Sequence, residues 1–183
     1  MKKGKFIVIS GPSGVGKGTI CNELVKTNEA WLSISMTTRK MREGEEDGKS
    51  YYFITKEEFE KRIKEGKLLE YNLYNNNYYG TPLDKVIEKL EEGINVILEI
   101  DVNGGHQVKK IYPETILVYI APPSLEELRR RLTERGTEDK ETIEKRLAIA
   151  KIEQTQIDDY DYIVVNDILE DAVENVKNIL RKN

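Results

Sequence analysis

One cysteine, one histidine, no long apolar run and no surplus of positive charge: several kinds of chemistry are excluded at the outset. With Cys21 alone an internal disulfide is impossible, and the residue reads as a small apolar one packed in the first helix. His106 follows Gly104-Gly105 without metal-ligating partners at a usable spacing, and reads as structural or surface. Behind the basic start Lys2-Lys3 the apolar run is far too short for a signal peptide. No stretch approaches membrane-spanning length, so the expectation is a cytoplasmic protein without a membrane partner. A net charge of -4 argues against broad, charge-driven binding of nucleic acid. Any polyanionic ligand must be met by locally gathered cations, which makes each arginine's position informative.

What is present suits a globular chain. Its 183 residues, 38% hydrophobic and 34% charged, give one main domain with room for an inserted lobe and a heavily solvated surface. The most informative segment follows the apolar run Phe6-Ile7-Val8-Ile9 and reads Gly11-Pro12-Ser13-Gly14-Val15-Gly16-Lys17-Gly18-Thr19. A buried strand, a glycine-rich turn and then a helix form the setting of a phosphate-binding loop. Its glycines let successive N–H groups point at one anion, aided by the helix dipole. Lys17 adds a point charge for the outer phosphates of a nucleoside triphosphate. The standard loop ends Gly-Lys-Ser/Thr. Here Gly18 follows the lysine and the hydroxyl comes one residue later, at Thr19.

Beyond the loop, Val96 to Ile100, Ile116 to Ile120 and Tyr162 to Val165 are short β-branched runs suited to strands buried on both faces. Helices are expected over Ser124 to Glu134, with Ser124 as N-cap, over Thr142 to Gln156, and over Glu170 to Arg181. This alternation implies an α/β fold with a parallel sheet and ligands at the carboxyl ends of its strands. From about Ser35 to Lys89 the rhythm breaks. Tyr51 to Phe53 and Leu68 to Tyr74 read as strands, and Asn75-Asn76-Asn77 as a tight turn before Tyr78-Tyr79, which makes a small, partly antiparallel inserted lobe. A second excursion, roughly Ser124 to Gln156, is two charged helices joined across Gly136.

Arg39 and Arg42 lie in the polar segment Thr37-Thr38-Arg39-Lys40-Met41-Arg42-Glu43-Gly44-Glu45, where planar, multidentate donors can converge on a second phosphate. Tyr51 can add a hydroxyl. Glu99 and Asp101 close the apolar run before them, and strand alternation puts both carboxylates on one face. They serve either a magnesium ion or the neighbouring loop. Arg131 and Arg135 are one helical turn apart on one face, and Arg146 lies on the next helix.

The loop at 11–19, Thr37-Thr38-Arg39, Ala121-Pro122-Pro123-Ser124, Arg131 and Arg135-Gly136-Thr137 occur in one order over nearly the whole chain. Together they resemble the guanylate kinases. The resemblance implies a P-loop NTPase fold, a three-layer parallel-sheet core (1–34, 90–123 and 157–183) with an inserted GMP-binding lobe (about 35–89) and a helical lid (about 124–156). It implies phosphoryl transfer from ATP to GMP, giving ADP and GDP, with magnesium as cofactor. Carried over residue by residue, it places Ser35, Arg39, Arg42, Tyr51 and Tyr79 around the GMP phosphate, and Glu70, Thr81 and Asp101 at the guanine. An ionised Glu70 can accept both the N1–H and the 2-amino group of guanine, which adenine does not offer together. Thr81 stands where the family often has serine and keeps a hydroxyl for O6. The lid arginines Arg131, Arg135 and Arg146 would close over the phosphates and, with Lys17 and Arg39, stabilise charge in transfer. Arg129 and Arg130 read as solvent-side members of their helix. Asn166-Asp167 lie where the family brings the adenine close. Magnesium would be held by Thr19, or through waters and the Glu99/Asp101 edge.

Two rivals compete with this reading. One is a kinase for another nucleoside monophosphate, set apart by the guanine-reading residues. The other is a guanylate-kinase-like interaction module, set apart by the loop lysine and lid arginines present here. Acceptance of dGMP and the choice between monomer and homodimer stay open.

Overall fold

In chain order the first half holds β1 (Phe6–Ser10), α1 (Lys17–Lys26), β2 (Trp31–Leu32), β3 (Met36–Thr37), β4 (Tyr52–Phe53), α2 (Lys56–Lys64), β5 (Leu68–Tyr74) and β6 (Asn77–Pro82). The second half holds α3 (Leu83–Glu91), β7 (Val96–Glu99), α4 (Val102–Ile111), β8 (Ile116–Ala121), α5 (Leu125–Glu134), α6 (Lys140–Gln154), β9 (Tyr162–Val165) and α7 (Leu169–Arg181). This computed structural model describes residues 3–74, 76–136 and 139–182. Lys2, Asn75 and Thr137, each part of a sequence expectation, lie outside them.

Every residue of β1 is buried, as a strand covered on both faces must be. It is the middle of a five-stranded sheet ordered β2-β7-β1-β8-β9, with all pairings parallel. Alternation along β1 separates two cores. Ile7 and Ile9 pack with α1, α5, α6 and α7, while Phe6 and Val8 pack with α3 and α4. The result is a three-layer α/β architecture with the glycine-rich loop at the carboxyl end of its central strand. Cys21 is fully buried in the first of these cores, where burial pushes its thiol up to about 12.

A second sheet, ordered β4-β3-β6-β5, is mixed: β3 runs parallel to β4, and β6 is antiparallel to both β3 and β5. Its own core is Met36, Phe59 and Leu68, with the Phe59 ring stacked 5.0 Å from that of Tyr78. Adjacent residues of β5 divide between the two bodies. Leu68 enters this small core and Leu69 the α3/α4 core, so β5 ties the second sheet to the first.

Helix starts are fixed by side-chain caps. Thr55, Ser124 and Asp139 accept the backbone N–H groups of Glu58, Glu127 and Thr142, each satisfying a donor that the first helical turn leaves unpaired. Val86 and Leu90 of α3 are buried in the α3/α4 core of the main sheet. Among the described residues no helix is long and apolar enough to cross a membrane.

Candidate active site

Gly11 has φ +146, and a Cβ there would overlap the Ile120 carbonyl of β8; only glycine lets the chain leave β1 this close to its neighbour. Gly16, φ +100, caps α1, and a Cβ on it would lie 2.5 Å from the Asn166 side chain. Between them Val15 is fully buried in the core and pins the loop from below. Lys17 folds back over the loop, its Nζ donating to Gly11 O at 2.6 Å and Pro12 O at 3.0 Å. Burial lowers its pKa, and the Glu99 and Glu153 charges oppose that shift.

Asn166, itself buried, joins three elements. Its backbone N–H donates to Ala121 O, its Nδ2 donates to Val15 O at 2.8 Å, and its carbonyl accepts Arg131 Nη1 at 2.9 Å. The side chain expected near adenine is therefore committed to buttressing the loop. Arg131 is also held by Glu127 at 2.8 Å, and Arg146 donates to Ser13 Oγ of the loop. Arg131 and Arg135 line one cavity of about 640 Å³ with Ser13, Gly14, Gly16, Lys17, Gly18, Thr19 and Glu99. Arg129 and Arg130 instead form exposed ion pairs with Glu144 and with Glu127 and Glu134. Arg130, and then Arg131, pull the Glu127 carboxyl down to about 2.

A second cavity, about 460 Å³, opens between the two sheets and is lined by Ser35, Tyr51, Glu70, Asn72, Tyr79, Gly80, Ile100 and Asp101. Glu70 Oε1 accepts the hydroxyl of the fully buried Thr81 at 2.7 Å. Burial raises the Glu70 pKa, the Asp101 charge adds to the rise, and the Thr81 hydrogen bond opposes it. Thr81 gives its proton to Glu70 here. In this geometry it orients the carboxylate.

Two further expectations change. Strand β7 ends at Glu99, and Asp101 is the N-cap of α4, its Oδ1 accepting Gly104 N–H at 2.7 Å. The two acids therefore do not share a strand face. Glu99 lines the loop cavity and Asp101 the second one. Nor do Arg39 and Arg42 converge. Arg39 makes a bidentate pair with Glu45, at 3.0 and 2.6 Å, with its guanidinium 5.6 Å from the Tyr51 ring. Arg42 is exposed, and only its backbone N–H reaches Glu45. Glu45 and Asn72 were missed in the sequence. Asn72 carried a signal, since strand alternation from Glu70 puts it on the same face.

Among the described residues no group of three or more His, Cys, Asp or Glu is gathered for a metal. The loop cavity nevertheless suits a hard cation that keeps its waters. A Cβ on Gly18 would lie 3.4 Å from Glu99 Oε2, so this acid stands beside the place where a standard loop begins its hydroxyl side chain.

A parallel sheet whose central strand runs into a glycine-rich loop, with a lysine folded over that loop and arginines facing it, defines a P-loop nucleotide-binding protein. The family model for guanylate kinase matches residues 3–183. The chain is 54% identical over 180 residues to a guanylate kinase of Clostridium tetani, covering 98% of this chain and 86% of that one. It is 51% identical over 181 residues to one of Listeria monocytogenes, covering 98% and 88%. The crystal structure of guanylate kinase from Anaplasma phagocytophilum superposes with a TM-score of 0.74 at 33% identity, over 98% of this chain and 86% of the other. The chain belongs to the guanylate kinase family.

Proposed function

We propose that the protein transfers the γ-phosphoryl group of ATP to GMP, giving ADP and GDP. The observation that carries this reading is the pairing of two cavities on one sheet edge. One is built from a phosphate loop and arginines, the other around a buried carboxylate that a hydroxyl holds in place. In the first, loop N–H groups and the α1 dipole take the triphosphate, and Lys17 reaches its outer phosphates. In the second, Ser35, Tyr51 and Tyr79 hydroxyls with Arg39 hold the GMP phosphate, and the exposed Arg42 side chain turns in to join them when the nucleotide binds. Glu70, steadied by Thr81, accepts from N1–H and the 2-amino group, and the free oxygen of Asp101 completes that edge.

Arg131, Arg135 and Arg146 neutralise charge that spreads over the group in flight, where positioned cations matter more than proton transfer. Glu99 and Thr19 are the residues that would hold magnesium in the loop cavity, with most of its shell from phosphates and water. The ion would neutralise charge on the outer phosphates. An ATP-coupled assay with magnesium, offering GMP, dGMP, AMP, CMP and UMP, tests the reading. Turnover with guanine nucleotides alone is expected, and no turnover with GMP overturns it.

A further inference from the structure

We propose that Asn72 reads the ribose 2′-hydroxyl of the acceptor nucleotide and thereby sets a preference for GMP over dGMP, an inference that rests on the acceptor-site reading above. On β5, residues 70 and 72 share a face, and their partners on β6 are Thr81 for Glu70 and Tyr79 for Asn72. Both rungs contribute to the same cavity. The Glu70 rung is its base-reading end, where the carboxylate is fixed by Thr81. The hydroxyls of Ser35, Tyr51 and Tyr79 form its phosphate end, with the Arg39 guanidinium packed on the Tyr51 ring. In a nucleoside monophosphate the sugar lies between base and phosphate. Asn72 lies one strand repeat, about 6.5 Å, from Glu70 and opposite Tyr79, where the base-reading end meets the phosphate end.

The chemistry of the side chain matches that place. A carboxamide carries donors and an acceptor, as a hydroxyl carries both, whereas a phosphate calls for donors alone. The Asn72 amide makes no hydrogen bond to protein among the described residues, so both functions are available to a ligand. The neighbours of Asn72 on this face are committed. Glu70 is held by Thr81, and Asp101 gives one oxygen to the start of α4. Asn72 is also exposed, so water competes for the contact and the discrimination it supplies is moderate.

The test compares Asn72→Ala with the parent enzyme for GMP and dGMP under saturating ATP and magnesium. The parent is expected to show a lower KM for GMP than for dGMP. The substitution should raise the GMP KM about three- to tenfold, the value of one net hydrogen bond, and leave that for dGMP within about twofold. Because Asn72 is exposed, the variant should melt with the parent. Equal losses for both substrates, no change for either, or a parent that uses both equally would each overturn the proposal. Failure of the underlying reading is separately visible: a Glu70→Ala enzyme that keeps its GMP-over-AMP preference removes the acceptor site, and Asn72's role with it.

Discussion

Arg39 and Glu45 are locked fork to fork, two guanidinium nitrogens on two carboxylate oxygens at 3.0 and 2.6 Å. The pair holds the guanidinium beside Tyr51 and Phe53, at 5.6 and 5.8 Å from their ring centres, and so pre-orients a cation next to a ring that lines the second cavity. Replacing Glu45 by glutamine removes the counter-charge while keeping the shape. The KM for GMP should rise about tenfold, that for ATP should stay unchanged, and steady-state kinetics with each substrate varied in turn checks the asymmetry.

Lys17 separates catalysis from stability. Its ammonium is buried, which lowers its pKa, so in the folded protein the charge is held at a cost. Lys17→Met should therefore lower kcat by about 10² to 10³ or more, as removal of a transition-state donor does. Its melting temperature should remain within a few degrees of the parent's. A loss of activity accompanied by a collapse in melting temperature would contradict this division.

For Glu70 the sign of the pH effect follows from the direction of its shift. Burial raises the folded carboxyl above its unfolded value, so the folded protein binds this proton more tightly. The contribution of Glu70 to stability therefore falls as pH rises through the window between the unfolded and folded values. Glu70→Gln should melt higher than the parent, and by more at about pH 7.5 than at about pH 4. In the parent, the KM for GMP should climb as pH falls through the same window, because a protonated Glu70 cannot accept both guanine donors. Calorimetry and pH-resolved kinetics measure the two effects independently.

Asn166→Ala leaves the buried Val15 carbonyl without its partner. The expected destabilisation is about 1–3 kcal/mol, the cost of an unsatisfied buried acceptor. A loosened loop should raise the KM for ATP and leave that for GMP unaffected. Denaturant unfolding and ATP titration check both arms.

Several elements were legible because local pattern and tertiary need agree. The apolar run before the glycine-rich loop is β1, Tyr162 to Val165 is β9 to the residue, Leu68 to Tyr74 is β5, and Ser124 caps α5 as its position before a Leu-Glu-Glu turn suggests. Other elements left no local signal. Strands β2 and β3 have two residues each, too short for alternation to register. Helix α4 contains Gly104-Gly105, a pair of poor helix formers. The pair is tolerated because Ile100 and Tyr160 press so close that a Cβ would meet them at 3.0 and 2.9 Å. Packing outweighs propensity there. In the site, most residues expected at the phosphates and the base line one of two cavities, but their present partners left no trace in the local sequence. Nothing in the local sequence says that Arg39 pairs with Glu45 or that the Thr81 proton goes to Glu70.

The end of β7 acts as a ruler. Glu99 faces the proposed donor cavity and Asp101 the proposed acceptor cavity, with Ile100 alone between them. The two sites are thus spaced by covalent main chain, about 7 Å for two residues, and not by how far any mobile part swings. Loops elsewhere can lengthen without altering the reach from donor to acceptor. An insertion of one residue between Glu99 and Asp101 cannot, and it should uncouple the two substrates while leaving each able to bind.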